Sequence, residues 1–387
     1  RAVAAAAGDF PTPDTTTSNL AGSSGPRASR SLAVATTTSH RAPSWTSAPD
    51  TAGMYVRHPV WRLAGSNLRF GSMASRTVVT IGNFDGAHRG HAALIARARA
   101  LAGDGGRVVA LAFWPHPTTV LAPGRAPAML STFGQRAAWL RTLGADEVDA
   151  IEPTPEMLGR TPEQFVRWVI ERFHPSAVVE GTDFHFGRGR AGSVRTLAEL
   201  GRAHGFAVEV VEPVEVALTD QTIVTASSTV TRWLVAHGRV ADAACVLGRP
   251  YTITGTVVRG DQRGRTIGFP TANLRTAHAI PGDGVYAGWA TVPGGRRMPS
   301  AIHVGPRATF DAMARTVEAF VMDWNGPVPE GGPEYGWEIG VEFVSWIRGQ
   351  ARFDTVEGLV AQIGRDVHQA QRCVERASAR ACEEALA

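Results

Sequence analysis

The feature that most limits the fold is an alternation of apolar, strand-like runs with amphipathic helical segments between residues 76 and 214. The run 76–84 is rich in β-branched residues, and the following segment 91–102 places its apolar residues on one helical face. Similar pairs recur up to residue 214. Strands that alternate with helices predict a doubly wound parallel sheet that binds ligands at the carboxyl ends of its strands. We therefore expect an α/β domain over residues 76–241.

The pattern changes near residue 245. Short strand candidates begin at residues 251, 284, 299, 316 and 337, and Gly, Pro and Asp residues separate them. A helical segment then covers 355–374. This arrangement predicts a second domain over 245–387, a small antiparallel β-barrel followed by a C-terminal helix.

Residues 1–70 differ from both segments. They are rich in Ala, Ser, Thr, Pro and Gly and lack hydrophobic periodicity, so they are expected to form a disordered N-terminal extension. The chain begins at Arg1 and its first methionine is Met54, so we expect this start not to be the native one. A transit peptide is the alternative, because the stretch is Ser/Thr-rich and poor in acidic residues.

The composition excludes several classes of protein. The formal net charge is only +4, which does not imply a nucleic-acid-binding surface, and no run of about 18 apolar residues suggests a membrane partner. Lysine is absent, which excludes a P-loop, because the lysine of that motif reaches the bound phosphates. Backbone amides, Arg, His and a metal ion would have to bind ATP. Cys245, Cys373 and Cys382 lack metal-site spacing and predict reduced thiols in a cytoplasmic protein.

The turn 82-GNFDGAHRGH-91 joins the first strand to the first helix. His88 and His91 are three residues apart at the helix start, where free amides and the positive end of the helix dipole face the crevice. Two imidazoles and these amides suit the charge that develops on an α-phosphate when pyrophosphate leaves. An isolated HxxH is more often a solvated turn or a stray metal site. Asp85 and His116 could equally be structural.

The same stretch resembles the GxFDGxHxGH signature of bacterial FAD synthetases, within the HxGH nucleotidylyltransferase superfamily. Further likeness appears at 113-FWPHP-117, 181-GTDFHFGRGRAG-192 and 227-SSTVTRWLVAHG-238. The resemblance implies that Asn83, His88 and His91 stabilise the reacting phosphates. It also implies a nucleotide and phosphate site formed by Gly82, Phe84, Asp183, Ser228, Thr229 and Arg232. Thr231 stands where the family usually has an apolar residue, a difference in packing.

A second phosphate-binding pattern lies in 260-GDQRGRTIGFPTANL-274. Its glycines free backbone amides that can surround phosphate oxygens. Thr271 and Asn273 alternate along an extended segment, so both side chains point to one face and offer two neutral oxygens to Mg²⁺. A generic GxxxGF would more often be a hairpin with a Pro turn.

GRxxGFPTAN as a whole resembles the riboflavin kinase signature, and the likeness extends to 284-GVYAGW-289, 317-VEAFVMD-323 and 347–366. The resemblance implies that Glu318 is the general base for the ribityl 5′-hydroxyl and that Thr271 and Asn273 hold Mg²⁺. It further implies that ATP phosphates bind at Gly264, Arg265 and Gly268.

Two segments depart from the family pattern. The chain has 305-GPRATF-310 where GTNPTF is usual, and 322–336 is a longer Pro/Gly-rich loop. Taken together, the two resemblances imply a bifunctional enzyme that phosphorylates riboflavin to FMN and adenylylates FMN to FAD, with ATP as co-substrate and Mg²⁺ as cofactor. The alternatives are an FMN adenylyltransferase with an impaired kinase domain and a non-catalytic flavin-binding sensor.

Overall fold

The structure is a computed structural model that describes residues 76–306, 315–324 and 334–386, with side chains as far as residue 379. The extension 1–70 and parts of the two atypical segments, 307–314 and 325–333, lie outside the described residues.

The first segment alternates strands and helices as the sequence predicts. Its strands are β1 (Thr77–Gly82), β2 (Arg107–Phe113), β3 (Glu147–Ile151), β4 (Ala177–Gly181), β5 (His185–Phe186), β6 (Gly192–Ser193), β7 (Ala207–Val211), β8 (Glu215–Ala217) and β9 (Ile223–Thr225). Its helices are α1 (Arg89–Ala102), α2 (Thr118–Leu121), α3 (Phe133–Thr142), α4 (Pro155–Gly159), α5 (Pro162–Phe173), α6 (Val194–His204), α7 (Ser228–Ala236) and α8 (Val240–Leu247).

Five of these strands form a parallel sheet in the order β3-β2-β1-β4-β7. Helices cover both faces of β1 and β2, so nearly all their residues are buried and the strands are continuously apolar rather than alternating. The chain moves from β1 to β2 on one side and reaches β4 on the other. Ligands of such sheets bind at this reversal point, outside the carboxyl ends of the strands.

Local signals fix the bounds of α5. Thr161 and Gln164 form a reciprocal capping box, and Pro162 occupies the first helical position, where its missing N–H costs nothing. The helix buries Phe165, Val166, Val169 and Phe173 against the sheet, and the left-handed His174 ends it.

The second segment contains β10 (Tyr251–Val258), α9 (Arg263–Thr266), β11 (Ala272–Arg275), β12 (Gly284–Thr291), β13 (Arg297–Pro306), β14 (Arg315–Val321), β15 (Glu338–Arg348) and α10 (Val356–Leu386). The strands close into a barrel in the order β10-β11-β14-β13-β12-β15. Residues of β10 alternate between buried and half-buried, as expected when one face fills the barrel. The predicted α/β domain, barrel and C-terminal helix are all confirmed.

Helices α7 and α8 pack with the barrel as well as with the sheet. Leu234 and Val246 share one apolar cluster with Ile253 and Phe343 of the barrel and with Leu130 of the first segment. The two segments therefore meet through a continuous core rather than through a solvated linker. Among the described residues, no helix is both long and apolar enough to cross a membrane.

Glu180 is a buried carboxyl at the end of β4. Its Oε1 accepts the backbone N–H of Ile81 at 2.7 Å, which continues the bonding between β4 and β1 through a side chain. Burial raises the pKa of Glu180 well above its usual range, and the nearby charge of Asp183 raises it further. The folded protein thus retains this proton at a pH where the unfolded chain has released it.

We expect Glu180→Gln to stabilise the protein at pH 8. The glutamine keeps an acceptor for Ile81 without a charge that resists burial, and such a change contributes about 1–3 kcal/mol. Stability of the parent falls as pH rises above the unfolded-state pKa of about 4.3, so the advantage should vanish near pH 4. Urea unfolding at the two pH values measures it. Glu209→Gln, which removes a half-exposed ion pair with Arg97, is the control. A loss of stability in Glu180→Gln at pH 8 would contradict the raised pKa.

Candidate active sites

The turn after β1 carries three residues with left-handed backbone within four positions. Phe84, Gly86 and Ala87 have φ values of 48°, 79° and 41°. Residues with a Cβ rarely adopt such φ values, which persist where surrounding contacts hold the backbone in place. The turn donates the N–H of Gly86 to Ser131 Oγ at 3.0 Å. The chain is thereby bent so that His88 caps α1 and His91 lies in its first turn.

The two histidine rings lie against each other in the interior. Their centroids are 3.6 Å apart with an interplanar angle of 25°, and Phe84 meets His91 edge-on at 5.1 Å. Gly90 makes room for this stack, because a Cβ there would lie 3.1 Å from the ring of His88 and 3.2 Å from the carbonyl of Ala226. The structure therefore brings together the two histidines that the sequence placed at the helix start.

Burial keeps both imidazoles neutral. It lowers the pKa of His88 to about 4, with a smaller contribution from the Arg249 charge, and it lowers the pKa of His91 well below the usual value. The Nδ1 atoms of both rings and Oδ1 of Asn83 are buried without a hydrogen-bond partner among the described residues. Three unpartnered polar atoms within one turn are the pattern expected of a ligand site.

Asn83 and His116 lie together at the carboxyl ends of β1 and β2. Asn83 Nδ2 is 3.3 Å from His116 Nε2, and the backbone N–H of Thr118 donates to His116 Nδ1 at 3.2 Å. Burial lowers the pKa of His116 as well. His116 thus touches a predicted site residue.

Asp85 is 1% exposed and acts as the anchor of the turn. Its carboxylate accepts the backbone N–H groups of Leu130 and Ser131 at 3.0 and 3.1 Å. It also forms ion pairs with Arg136 at 3.1 Å and Arg232 at 2.5 Å. Both oxygens of the carboxylate therefore already accept from several donors of the protein.

The start of α7 reaches the same turn. Ser227 caps the helix, and Ser228 donates its hydroxyl to the backbone carbonyl of Asp85 at 2.7 Å. Arg232, one turn later, donates to Asp85 and to the carbonyl of Ala128. Thr229 is exposed beside them. Ser228 and Arg232 therefore lie at the histidine turn, although they are more than 130 residues away in sequence.

Gly82, Phe84 and Asp183, the other predicted nucleotide-site residues, lie at the ends of β1 and β4. The buried Phe84 ring packs 3.4 Å from the position of a Cβ on Gly82, so Gly82 leaves space for that ring. Asp183 is exposed just beyond β4, at the same sheet edge as Asn83. Its charge contributes to the raised pKa of Glu180.

Two arginines of this site were not predicted. Arg136 of α3 is fully buried and donates to the carbonyls of Asn83 and Phe113 at 2.5 and 3.2 Å. Arg249, between α8 and β10, donates to the carbonyls of Gly86 and Ala87. Neither arginine lies in the motifs quoted in the sequence analysis; the sequence signal that pointed to them was the absence of lysine, which leaves arginine as the long cation.

The second predicted site lies on the outer wall of the barrel. Asn273 of β11 is directly opposite Glu318 of β14, which is directly opposite His303 of β13. Directly opposed residues share a face of the sheet. All three are half-buried, whereas the flanking Leu274 and Val317 are buried inside the barrel. Thr271 comes just before β11 and lines the same cavity as Asn273.

The glycine-rich loop 260–270 folds over this wall. A Cβ on Gly260 would lie 2.4 Å from Asn273 Nδ2, and one on Gly264 would lie 2.3 Å from the carbonyl of Phe269. Gly268 has a φ of 86°. The loop can therefore lie this close to β11 only because residue 260 is a glycine. Arg265 turns toward Glu334 and pairs with it at 2.6 Å.

Two cavities meet at Glu318. One of about 570 Å³ is lined by Gly260, Asn273, Trp324 and Tyr335 among others. The other, of about 440 Å³, lies beneath α10 and has largely apolar walls that include Phe320, Phe353 and Ile363. Arg263, Gly264, Thr271 and Glu318 line both. Glu318 thus stands where a group bound in one cavity could react with a group bound in the other.

The described residues contain no cluster of three or more His, Cys, Asp or Glu side chains that could hold a metal ion. Mg²⁺ does not require such a cluster, because it prefers oxygen ligands, keeps waters and shares the phosphates of its substrate. Thr271 and Asn273 offer two neutral oxygens on the cavity wall beside Glu318. This donor set fits the ion.

Comparisons with known proteins cover both segments. The FAD synthetase family model matches residues 71–227, and the riboflavin kinase family model matches residues 247–374. A bifunctional riboflavin kinase/FMN adenylyltransferase from Listeria monocytogenes is 33% identical over 81% of this chain and 95% of its own length. The Escherichia coli protein of the same name is 33% identical over 75% of this chain and 90% of its own length.

A solved structure shares the fold over both segments. It is described as a macrolide-efflux protein from Streptococcus pneumoniae, and it superposes with a TM-score of 0.67 and 29% identity. The match covers 78% of this chain and 95% of that one. The sheet and the barrel of this chain thus occur together in a solved protein.

Proposed function

The chain belongs to the family of bifunctional riboflavin kinase/FMN adenylyltransferases and carries both activities, and we propose that the two sites described above perform them in series. The barrel site phosphorylates riboflavin to FMN, and the histidine turn adenylylates FMN to FAD. The observation that carries this division is the position of Glu318, where the two cavities of the barrel meet. The proposed domain bounds are 76–241 for the adenylyltransferase and 245–387 for the kinase.

In the kinase site, the apolar cavity beneath α10 would bind riboflavin, and the cavity under the glycine-rich loop would bind ATP. Glu318 accepts the proton of the ribityl 5′-hydroxyl as that oxygen attacks the γ-phosphorus and ADP leaves. A carboxylate suits this role, because phosphoryl transfer depends mainly on positioning and the proton leaves as the new P–O bond forms. Amides of Gly264 and Gly268 surround the phosphates.

Mg²⁺, held by Thr271 and Asn273, would offset negative charge on the ATP phosphates. Arg265 is a weaker candidate for phosphate binding than the loop amides, since its guanidinium already pairs with Glu334. Its pairing with Glu334 ties the glycine-rich loop to the opposite wall of the cavity.

In the adenylyltransferase site, a phosphate oxygen of FMN attacks the α-phosphorus of ATP, and pyrophosphate leaves. His88 and His91 donate N–H groups to the charge that develops on the α-phosphate, with Asn83 beside them. Neutral rings suffice, because a preorganised donor in a water-poor site stabilises charge without changing its protonation state. Ser228, Thr229 and the N–H groups of Arg232 left over from Asp85 and Ala128 would hold the triphosphate. Asp183, at the end of β4, would shape the nucleotide or flavin pocket.

Purified protein given riboflavin and Mg-ATP should form FMN first and FAD after it, because both sets of phosphate-handling residues are present. Chromatographic separation of the flavins over time tests this, and EDTA should stop both reactions until Mg²⁺ is restored. FAD from supplied FMN, without use of riboflavin, would indicate an impaired kinase. Binding of flavin without turnover of either substrate at any Mg²⁺ concentration would indicate a sensor.

A further inference from the structure

We propose that Arg249 is a positioning residue of the adenylyltransferase site, contributed by the segment that matches riboflavin kinase. The residue lies between α8 and β10, inside the matched range 247–374. The FAD synthetase match ends at residue 227, so this arginine crosses from one catalytic half into the other. The inference rests on the assignment of His88 and His91 to adenylyl transfer.

The contacts of Arg249 lie on the peptide groups just before His88. Its Nη2 donates to the carbonyl of Gly86 at 2.6 Å, and its Nη1 donates to the carbonyl of Ala87 at 3.1 Å. Nη1 also reaches the carbonyl of Leu247 in its own segment at 3.2 Å. A planar guanidinium spans neighbouring carbonyls in this way, whereas an ammonium is a point donor on a flexible stem.

The two carbonyls belong to residues with left-handed backbone. Gly86 and Ala87 have φ values of 79° and 41°, and an alanine at such an angle is held there by its surroundings. Within this turn Arg136 fixes the carbonyl of Asn83 and Arg249 fixes the carbonyls that follow. The direction in which His88 leaves the turn therefore depends on Arg249.

Arg249 is itself held firmly. Its guanidinium carbon lies 3.5 Å from the ring centroid of Trp139 on α3, and its Nε is buried without a hydrogen-bond partner among the described residues. Burial lowers its pKa to about 10, which leaves it charged at neutral pH. In the opposite direction, Arg89 at the start of α1 donates to the carbonyl of Cys245 at 2.8 Å. Hydrogen bonds from both segments therefore join the histidine turn to the end of α8.

The charge of Arg249 also acts on the histidines. The groups that face His88 are Asp85, which raises its pKa, and Arg232 and Arg249, which lower it; the Arg249 contribution is second only to burial. His88, Arg136 and Arg249 face His91 and lower its pKa. Loss of the Arg249 charge should therefore raise the pKa of both rings. A stabilising arginine remote from the rings, such as Arg99, is not among the charges that act on them and would not have this effect.

The experiment compares Arg249→Met, Arg249→Lys and a matched control, Arg99→Met, in the full-length protein. Arg99 also binds backbone carbonyls, those of Gly144 and Gly106, but at the far end of α1. Methionine fills the space beside the Trp139 ring but carries no charge. Lysine keeps the positive charge but lacks the planar guanidinium group. Each variant is assayed for adenylylation of supplied FMN, for riboflavin phosphorylation and for thermal unfolding. Histidine ring protons are titrated by NMR, and His91→Ala is assayed alongside.

We expect Arg249→Met to lower kcat for adenylylation by about 10–10²-fold, because a misplacement of about 1 Å at a reacting centre can cost up to about 10²-fold. Riboflavin phosphorylation should stay within about twofold, as it should in Arg99→Met. The pKa of His88 should rise from about 4 in Arg249→Met and stay near it in Arg249→Lys. Arg249→Lys should lose only part of the adenylylation activity. It keeps the positive charge, but a single ammonium cannot bind the carbonyls of both Gly86 and Ala87 as the guanidinium does.

Unchanged adenylylation in Arg249→Met overturns the proposal. Equal loss of both activities in Arg249→Lys also overturns it, since Arg249 would then only hold the fold; this variant decides the matter if Arg249→Met does not fold. If Arg249→Met loses activity while His91→Ala does not, the histidine assignment has failed, and the inference that rests on it fails with it. If only His91→Ala loses activity, the assignment stands and the inference about Arg249 is wrong.

Discussion

Replacing Glu318 with glutamine should abolish most riboflavin phosphorylation and leave FAD synthesis from supplied FMN intact. Glutamine keeps the size of the side chain but cannot accept the hydroxyl proton. Loss of a positioned general base typically costs about 10²–10⁴-fold in rate. Adenylylation needs no such base, because the FMN phosphate already has a second pKa of about 6 and is ionised at neutral pH.

The position of Glu318 allows an effect on the kinase rate to be separated from an effect on folding. The residue lies on the outer wall of the barrel, opposite Asn273 and His303, while the buried residues on either side of it, Val317 and Ala319, fill the interior. A change from carboxylate to amide on this wall removes no interior packing. We therefore expect the unfolding midpoint to change little while the kinase rate collapses.

Both activities are measured separately, with riboflavin or with FMN as the flavin substrate, together with thermal unfolding. Glu342→Gln is the matched control, because Glu342 lies on the same barrel and pairs with Arg297 away from both cavities. FMN formation within a few-fold of the parent would mean that Glu318 is an ordinary strand residue. An equal fall in both activities would show an effect on folding and leave the proposed role without support.

The fold was predictable because each segment has a distinct periodicity. Buried parallel strands such as β1 and β2 are continuously apolar, and barrel strands such as β10 alternate, so the change near residue 245 separates the two classes. Strand β11 is only four residues long and lies inside the phosphate-binding pattern, so it was expected only as an extended segment. The prediction of same-face placement for Thr271 and Asn273 follows from that extended geometry alone.

The packing between the segments was not predictable from these patterns. Helices α7 and α8 share an apolar cluster with the barrel, yet amphipathic spacing shows only that a helix buries one face and not which partner covers it. For a similar reason, the sequence left open whether Asp85 is a structural residue. Its carboxylate accepts hydrogen bonds from Leu130, Ser131, Arg136 and Arg232, and all of these are more than 40 residues away in sequence.

The chain contains arginine but no lysine, and one consequence is seen at the turn that we propose for adenylyl transfer. Arg136, Arg232 and Arg249 each bind two or more groups around a single loop, a geometry that suits a planar fork with five donors. Their positive charges also oppose protonation of the histidines. The site thus combines fixed cations with neutral imidazoles, which suits a polyanionic substrate.

His91→Ala should produce the reverse of the Glu318→Gln result. Removing one preorganised donor from a developing oxyanion costs on the order of 10²–10³-fold, so FAD synthesis from FMN should fall by that amount. Riboflavin phosphorylation should remain within about twofold, because the barrel site shares no residue with the turn. The fall should appear in kcat, since the donor is strengthened by charge that exists only in the transition state.

The stack of His91 on His88 at 3.6 Å means that alanine also leaves a gap, so a structural effect has to be separated from a chemical one. His91→Gln, which retains an N–H donor near the same position, should recover part of the lost rate if donation is the role. His204→Ala, at an exposed end of α6, is the matched control. FAD synthesis within a few-fold of the parent in His91→Ala would make this residue a core histidine at a helix start. Rescue by His91→Gln but not by His91→Met, which fills similar space without an N–H donor, would place the effect on the reacting phosphate rather than on packing.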